Sequence, residues 1–324
     1  MDTQRPGVVI IAALAVACSD RTPTDALELR KVRANEEAIA WSDWSAPLNL
    51  GPVVNSDSAD QHPGISKDGL SLYFGSNRAG GYGGLDLYVT RRDNLEAPWG
   101  PPVNLGPLVN SDAPDFAPNF TPGGHQLFFH SGRSGGCGAL DLYVARRRDR
   151  QDAFGWEAPA NLGCVVNSAF DDAGPTVVED EATGVTTLTF NSSRPSGPGG
   201  LDIYQSTRVG DAGAFGPAVL IPELSGPFRD TRTAISRNGL ELFLSSDVTG
   251  RVGGIGGQDI WSSARATTAD PWSTPVNLGA GVNTTAFDGG PALSFDGTTL
   301  YFFSNRSGGS GGNDLYVTTR SRLR

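Results

Sequence analysis

The stretch Asp60 to Val89, DQHPGISKDGLSLYFGSNRAGGYGGLDLYV, decides the fold. It holds an Asp three residues before a Pro, then the turn Ser66-Lys67-Asp68-Gly69 and the apolar run Leu70–Phe74. Ser76-Asn77-Arg78 follows, then a glycine-rich loop and Asp86-Leu87-Tyr88-Val89. Alternating apolar residues punctuated by Asp-Gly and Gly-Gly predict short strands joined by tight turns. In Asp68-Gly69, glycine supplies the positive φ that a two-residue hairpin demands.

Working outward, the same unit returns four more times, which makes internal repetition the dominant feature of the chain. Its last Asp falls at Asp86, Asp141, Asp202, Asp259 and Asp314, 55 to 61 residues apart. An Arg stands eight residues before each: Arg78, Arg133, Arg194, Arg251 and Arg306. The fourth copy keeps this spacing through an insertion of three residues after Asp247. Between copies runs Trp-x-x-Pro-x-Asn-Leu-Gly, opened by Trp44, Trp99, Trp156 and Trp272 and replaced in copy four by Phe215-Gly216-Pro217.

Each copy therefore predicts four strands: A (Pro63–Ser66 type), B (Leu70–Phe74 type), C (Asp86–Val89 type) and D (Pro102–Leu105 type). The last copy lacks a D strand after it, while residues 44–50 form a D strand with no A, B and C before it. Joining the two ends removes two exposed edges. The expected fold is all-β, a single five-bladed propeller of four-stranded antiparallel blades over residues 44–320, closed by the N-terminal strand, with a tail at 321–324. Gly 43, Pro 22 and 38% hydrophobic residues suit this class.

This repeat closely resembles the WD40-like, TolB-type propeller repeat of bacterial envelope proteins. The resemblance implies an envelope location and a protein partner held by the propeller.

Arg5 precedes the apolar run Val8–Ala17, which has the length of a signal segment and is too short to span a bilayer as a helix. The run ends at Cys18 in a pattern resembling the lipobox of bacterial lipoproteins. Residues 1–17 are read as a signal peptide, Cys18 as an acylated anchor and residues 18–43 as a polar tether. In that family, a Ser after the cysteine implies the outer membrane as the address. The lipid is then the only membrane attachment. Net charge is −10, from 35 acidic and 25 basic residues, which excludes a nucleic-acid partner because phosphate binding needs a basic surface.

In such a blade the D–A and B–C connections share one face. That face gathers Asp60, Asp115, Asp172, Asp230 and Asp288 with Arg78, Arg133, Arg194, Arg251 and Arg306, the candidate binding residues. Their recurrence in every blade favours a role in mending the blade over a role in chemistry. Exposed aromatic singletons on the same face, Tyr82 and Phe116, are better placed to meet a ligand. His62, His125 and His130 show no zinc or catalytic-triad spacing. No cofactor is expected; calcium on clustered Asp and backbone carbonyls fits better than zinc, without an Asp-x-Asp-x-Asp loop to hold it. Cys137 and Cys164 leave blade 2 on one face and are candidate disulfide partners.

The function these features suggest is a monomeric protein-binding or scaffolding module without enzymatic activity. The alternative is a glycan-binding or glycan-hydrolysing propeller with carboxylates at its central channel, since glycosidase chemistry needs two suitably spaced carboxylates.

Overall fold

The computed structural model describes residues 40–247 and 251–323. The expected signal segment, Cys18 and nearly all of the tether lie outside the described residues. The described residues fall into two units. In the smaller, Trp41 pairs antiparallel with Arg322, and the Leu323 N–H donates to the Ala40 carbonyl. The larger, Ser42–Ser321, is a five-bladed propeller with no helix among its described residues.

The first strand, β1 (Leu48–Asn49), is the outermost strand of the last blade. Blade 1 follows as β2 (Asp60–Ile65), β3 (Ser71–Ser76), β4 (Asp86–Arg91) and β5 (Val103–Asn104). Blade 2 is β6 (Asp115–Phe120), β7 (Gln126–Ser131), β8 (Asp141–Arg146) and β9 (Ala160–Asn161). Blade 3 is β10 (Asp172–Asp180), β11 (Val185–Ser192), β12 (Asp202–Val209) and β13 (Val219–Leu220). Blade 4 is β14 (Asp230–Ile235), β15 (Glu241–Asp247), β16 (Gln258–Ala264) and β17 (Val276–Asn277). Blade 5 is β18 (Asp288–Leu293), β19 (Thr299–Ser304) and β20 (Asp314–Thr319), completed by β1, whose Leu48 and Asn49 face Val317 and Tyr316. All pairings within the blades are antiparallel, and β2, β6, β10, β14 and β18 contact one another in a ring around the axis.

The middle strands run two residues further than the sequence reading, to Ser76 and Arg91 in blade 1, and the inner and outer strands differ from it for one reason each. The inner strands start three residues early, at the Asp, because a bulge lets the chain pair on both sides of it. In blade 1 the register shifts between Gln61 and Gly64, and His62 takes φ +53°. Outer strands shrink to two residues because the chain turns just past the second, which in four of the five is a paired Asn whose side chain also bonds the corner. Asn104 Nδ2 donates to Asp86 Oδ2, and its Oδ1 accepts the Gly106 N–H.

The core lies between blades. Tyr73 of blade 1 packs with Leu127, Phe129 and Trp156 of blade 2, and equivalent clusters join every other neighbouring pair. The tryptophans that open the outer strands belong to these clusters. Trp99 meets Tyr301 edge-on at 6.4 Å, and Trp44 meets Phe243 at 5.8 Å. A second recurring Arg, six residues after the Asp that opens the third strand of each blade, covers each ring. Arg92 lies 4.4 Å over Trp99, Arg147 4.2 Å over Trp156 and Arg265 4.1 Å over Trp272. Such stacking of a guanidinium on a ring contributes about 0.5–2 kcal/mol each.

Candidate functional site

The five predicted Asp and Arg residues form five ion pairs, each inside its own blade. Arg78–Asp60, Arg133–Asp115, Arg194–Asp172, Arg251–Asp230 and Arg306–Asp288 span 2.5 to 2.8 Å, and every one of these carboxylates has a fully buried side chain. In blade 2, Asp115 Oδ1 accepts from Arg133 Nη2, and Oδ2 accepts from the backbone and hydroxyl of Ser111. The same guanidinium reaches the Val109 carbonyl and the Ser131 hydroxyl, tying three chain segments into one corner. The second Asp of each repeat works the loop beside it: Asp86 accepts the N–H groups of Tyr82 and Gly83, which fixes the glycine-rich turn. Arg251 keeps its place through the insertion read after Asp247; residues 248–250 themselves lie outside the described residues.

The histidines separate. His125 edges a hollow of about 510 Å³ with Arg146 and Asp211. His62 and His130 flank Phe116 at the axis, ring centroids 5.5 and 3.8 Å away. Burial lowers His62 to about 3, with Arg232 adding to the effect, and burial likewise holds His130 well below the ordinary histidine value. Both imidazoles are neutral. No three His, Cys, Asp or Glu side chains among the described residues form a metal-ligand group. Cys137 and Cys164 are joined in a disulfide, their Cα atoms 5.7 Å apart. Tyr82 is half exposed, while Phe116 turns inward against His62 and His130.

If repetition marks architecture, chemistry is to be sought where the repeat breaks. One residue before each inner-strand Asp stand Ala59, Pro114, Asp171, Arg229 and Phe287. One residue past the Ser opposite that Asp stand Asn77, Gly132, Ser193, Asp247 and Asn305. Blades 3 and 4 alone carry charge at these positions. Asp171 stands just before β10, at the mouth of the ring where the inner strands begin, and its carbonyl accepts the Ser193 N–H. Arg229 begins blade 4, bridged in parallel to Leu201 of blade 3, and its carbonyl accepts the Asp247 N–H. Asp247 is pushed above the ordinary carboxylate value by burial, with Arg229 opposing the shift and Asp230 adding to it.

Polar and aromatic groups extend the same arc. Before the loop-binding Asp, blades 1 to 3 have Leu85, Leu140 and Leu201, whereas blades 4 and 5 have Gln258 and Asn313. Gln258 Nε2 donates to Thr231 Oγ1, and Asn313 Nδ2 donates to Gln61 Oε1. Phe287, 47% exposed, is bridged to Gln258 and offers a flat apolar face beside that amide. A hollow of about 590 Å³ at the outer rim contains Glu241, but Arg320 takes both of its oxygens. The mouth of blades 3 to 5 thus carries carboxylates outside the repeated ion pairs, amide donors and an aromatic plate. Together these suit recognition of hydroxyl-rich rings.

No family model and no curated protein matches this chain. Solved structures do. An α-L-arabinofuranosidase from Lactobacillus brevis aligns with a TM-score of 0.57 at 15% identity, covering 85% of this chain and 94% of its own. The catalytic domain of the Coprinopsis cinerea GH62 α-L-arabinofuranosidase aligns at 0.52 and 16% identity, over 87% and 97%. An exo-1,5-α-L-arabinanase from a bovine ruminal metagenomic library aligns at 0.54 and 15%, over 84% and 99%. At these identities the likeness is one of fold.

These findings correct four expectations. The resemblance to the WD40-like, TolB-type family does not hold, because no family model matches and the similar structures are glycoside-hydrolase propellers. Its signature residues are the Asp, Arg and Gly groups that build blade corners, so they report the blade and not the family. The protein-binding scaffold is likewise overturned, and with it the protein partner, since the Asp side of the proposed docking ring is sealed inside the blades and the neighbouring structures are glycan-acting enzymes. The expectation of no enzyme is overturned as well, because the similar structures are glycoside hydrolases. Asp171 and Asp247 are carboxylates that the other blades do not repeat at these positions.

Proposed function

We propose that this chain is a glycan-directed propeller that hydrolyses a glycosidic bond at the mouth formed by blades 3 and 4. The observation that carries this reading is the pair Asp171 and Asp247, carboxylates that break the repeat on adjacent blades at one mouth. Asp247, raised by burial, holds a proton at higher pH than an ordinary carboxylate and serves as the acid that protonates the departing glycosidic oxygen. Asp171 serves as the partner carboxylate. Acting as a base, it takes the proton of a water whose oxygen bonds to the anomeric carbon as the glycosidic bond breaks; acting as a nucleophile, it forms that bond itself and water releases it afterwards. Arg229 moderates the shift of Asp247, while Gln258 and Phe287 hold the sugar ring.

The address we propose is the cell envelope, reached through the signal segment and a lipid on Cys18. The Cys137–Cys164 disulfide fits an oxidising compartment. Cys18→Ser should then move the protein from the membrane to the soluble fraction.

The test of hydrolysis is sugar release from arabinan, arabinoxylan, β-1,3-galactan and cello- and xylo-oligosaccharides. The unaltered chain should release sugar from at least one. Asp247→Asn and Asp171→Asn should each lose about 10²- to 10⁴-fold in kcat while keeping affinity for the same glycan. Absence of release from every glycan, with retention in an affinity gel, would make the mouth a lectin site and end the hydrolytic reading.

A further inference from the structure

Each inner strand carries its bulge at the same position, occupied in turn by His62, Ala117, Gly174, Arg232 and Gly290, all with positive φ. Two of the five are glycine, the residue that this conformation suits. Blade 4 instead places an arginine there at φ +36°, a strained choice for a long side chain and the kind of outlier from which function is inferred. Arg232 is 1% exposed. Its side chain crosses the axis, and Nη2 donates to the Pro63 carbonyl at 2.9 Å and the Pro118 carbonyl at 2.8 Å, in blades 1 and 2.

What Arg232 lacks is a counter-charge. The five arginines at the blade corners each face a carboxylate, but no carboxylate pairs with Arg232 among the described residues. Its Nε and Nη1 are buried and bond no described protein atom. Two more unpartnered nitrogens lie buried in the same axial group, His62 Nδ1 and His130 Nε2. His130 Nδ1 accepts the Gly174 N–H, so the proton of the neutral ring is on Nε2, which makes that atom a third unused donor. Phe116 and Phe303 wall the two imidazoles. A buried cation with spare donors and apolar walls is costly until something negative compensates it.

We propose that the axis of the ring binds a small monovalent anion, of the size of chloride or bromide, on Nε and Nη1 of Arg232. The site is separate from Asp171 and Asp247 and stands whether or not the mouth hydrolyses glycans. Bound there, the anion offsets the guanidinium charge where five blades meet, so occupancy stabilises the closed ring.

Crystals soaked in sodium bromide should show an anomalous peak on the axis in contact with Arg232. Melting of the unaltered chain should rise saturably by about 2–4 °C when chloride or bromide replaces gluconate at constant sodium. In Arg232→Met the halide dependence should vanish. Where that variant does not fold, the peak and the halide titration of the unaltered chain decide the matter. Water at this position with no anomalous peak, or equal melting in all three salts, overturns the proposal.

Discussion

Arg306 illustrates how one residue holds a blade corner, with one guanidinium bonding the Asp288 carboxylate, the Val282 carbonyl and the Ser304 hydroxyl. Arg306→Ala would leave Asp288 buried without its cation, a change that costs about 3–5 kcal/mol, measurable as a lower denaturant midpoint. Asp247 behaves in the opposite sense. Its folded-state value lies above that of the unfolded chain, so the native state binds the extra proton between the two, and stability falls as pH rises through that window. Asp247→Asn should flatten the dependence of melting temperature on mildly acidic pH and leave the chain no less stable at neutrality, even as turnover is lost. An unchanged slope would remove Asp247 as the raised carboxylate. The two residues were unequally legible in the sequence. Arg306 announces itself by recurring at fixed spacing, whereas Asp247 and Asp171 are visible only when the five copies are aligned and the departures are read. Arg232 was legible in the same way, at the copy where Arg-Thr replaces the residue pair that ends in Pro elsewhere.

The blades as elements were readable because each strand is bounded by its own turn chemistry. Gly69 takes φ +72°, and Asp68 Oδ1 accepts the Leu70 N–H, so the Asp-Gly pair specifies the hairpin locally. Strand length was less readable, since the bulge and the turn just past Asn104 depend on neighbouring segments. The stacked Arg92 and Arg147 were not singled out either, because their aromatic partners follow in the next strand. Blade 2 also carries the disulfide, which ties its glycine-rich loop to the connection leaving the blade across 27 residues. Closing such a loop restricts the unfolded chain by on the order of 3 kcal/mol. Reduction, or Cys137→Ser with Cys164→Ser, should lower the melting temperature without altering the spectrum of the folded state. Equal melting before and after reduction would mean that the bridge adds nothing.

For the whole molecule, closure rests on β1 lying against β20. Asn49 reaches Asp314, and Asn55 bonds both the Leu315 N–H and the Leu315 carbonyl, 260 residues away. A chain beginning at Ser42 should melt like the full chain. One beginning at Val53 loses β1 and the packing of Trp44 and Leu50, exposes the edge of β20, and should aggregate or unfold over a broad range. Similar melting of the two truncations would show that the staple is dispensable. The same arrangement sets the order in which the molecule is made. β1 is made before every blade strand it joins and pairs with β20, so four blades can form in sequence while the fifth waits for β18 to β20. Long-range pairing of this kind is slow, because the closure entropy comes before the contacts that repay it. Until that moment the nascent ring carries an unmatched strand at each end, and the vulnerable interval in the life of this protein is the one before β20 arrives to meet β1.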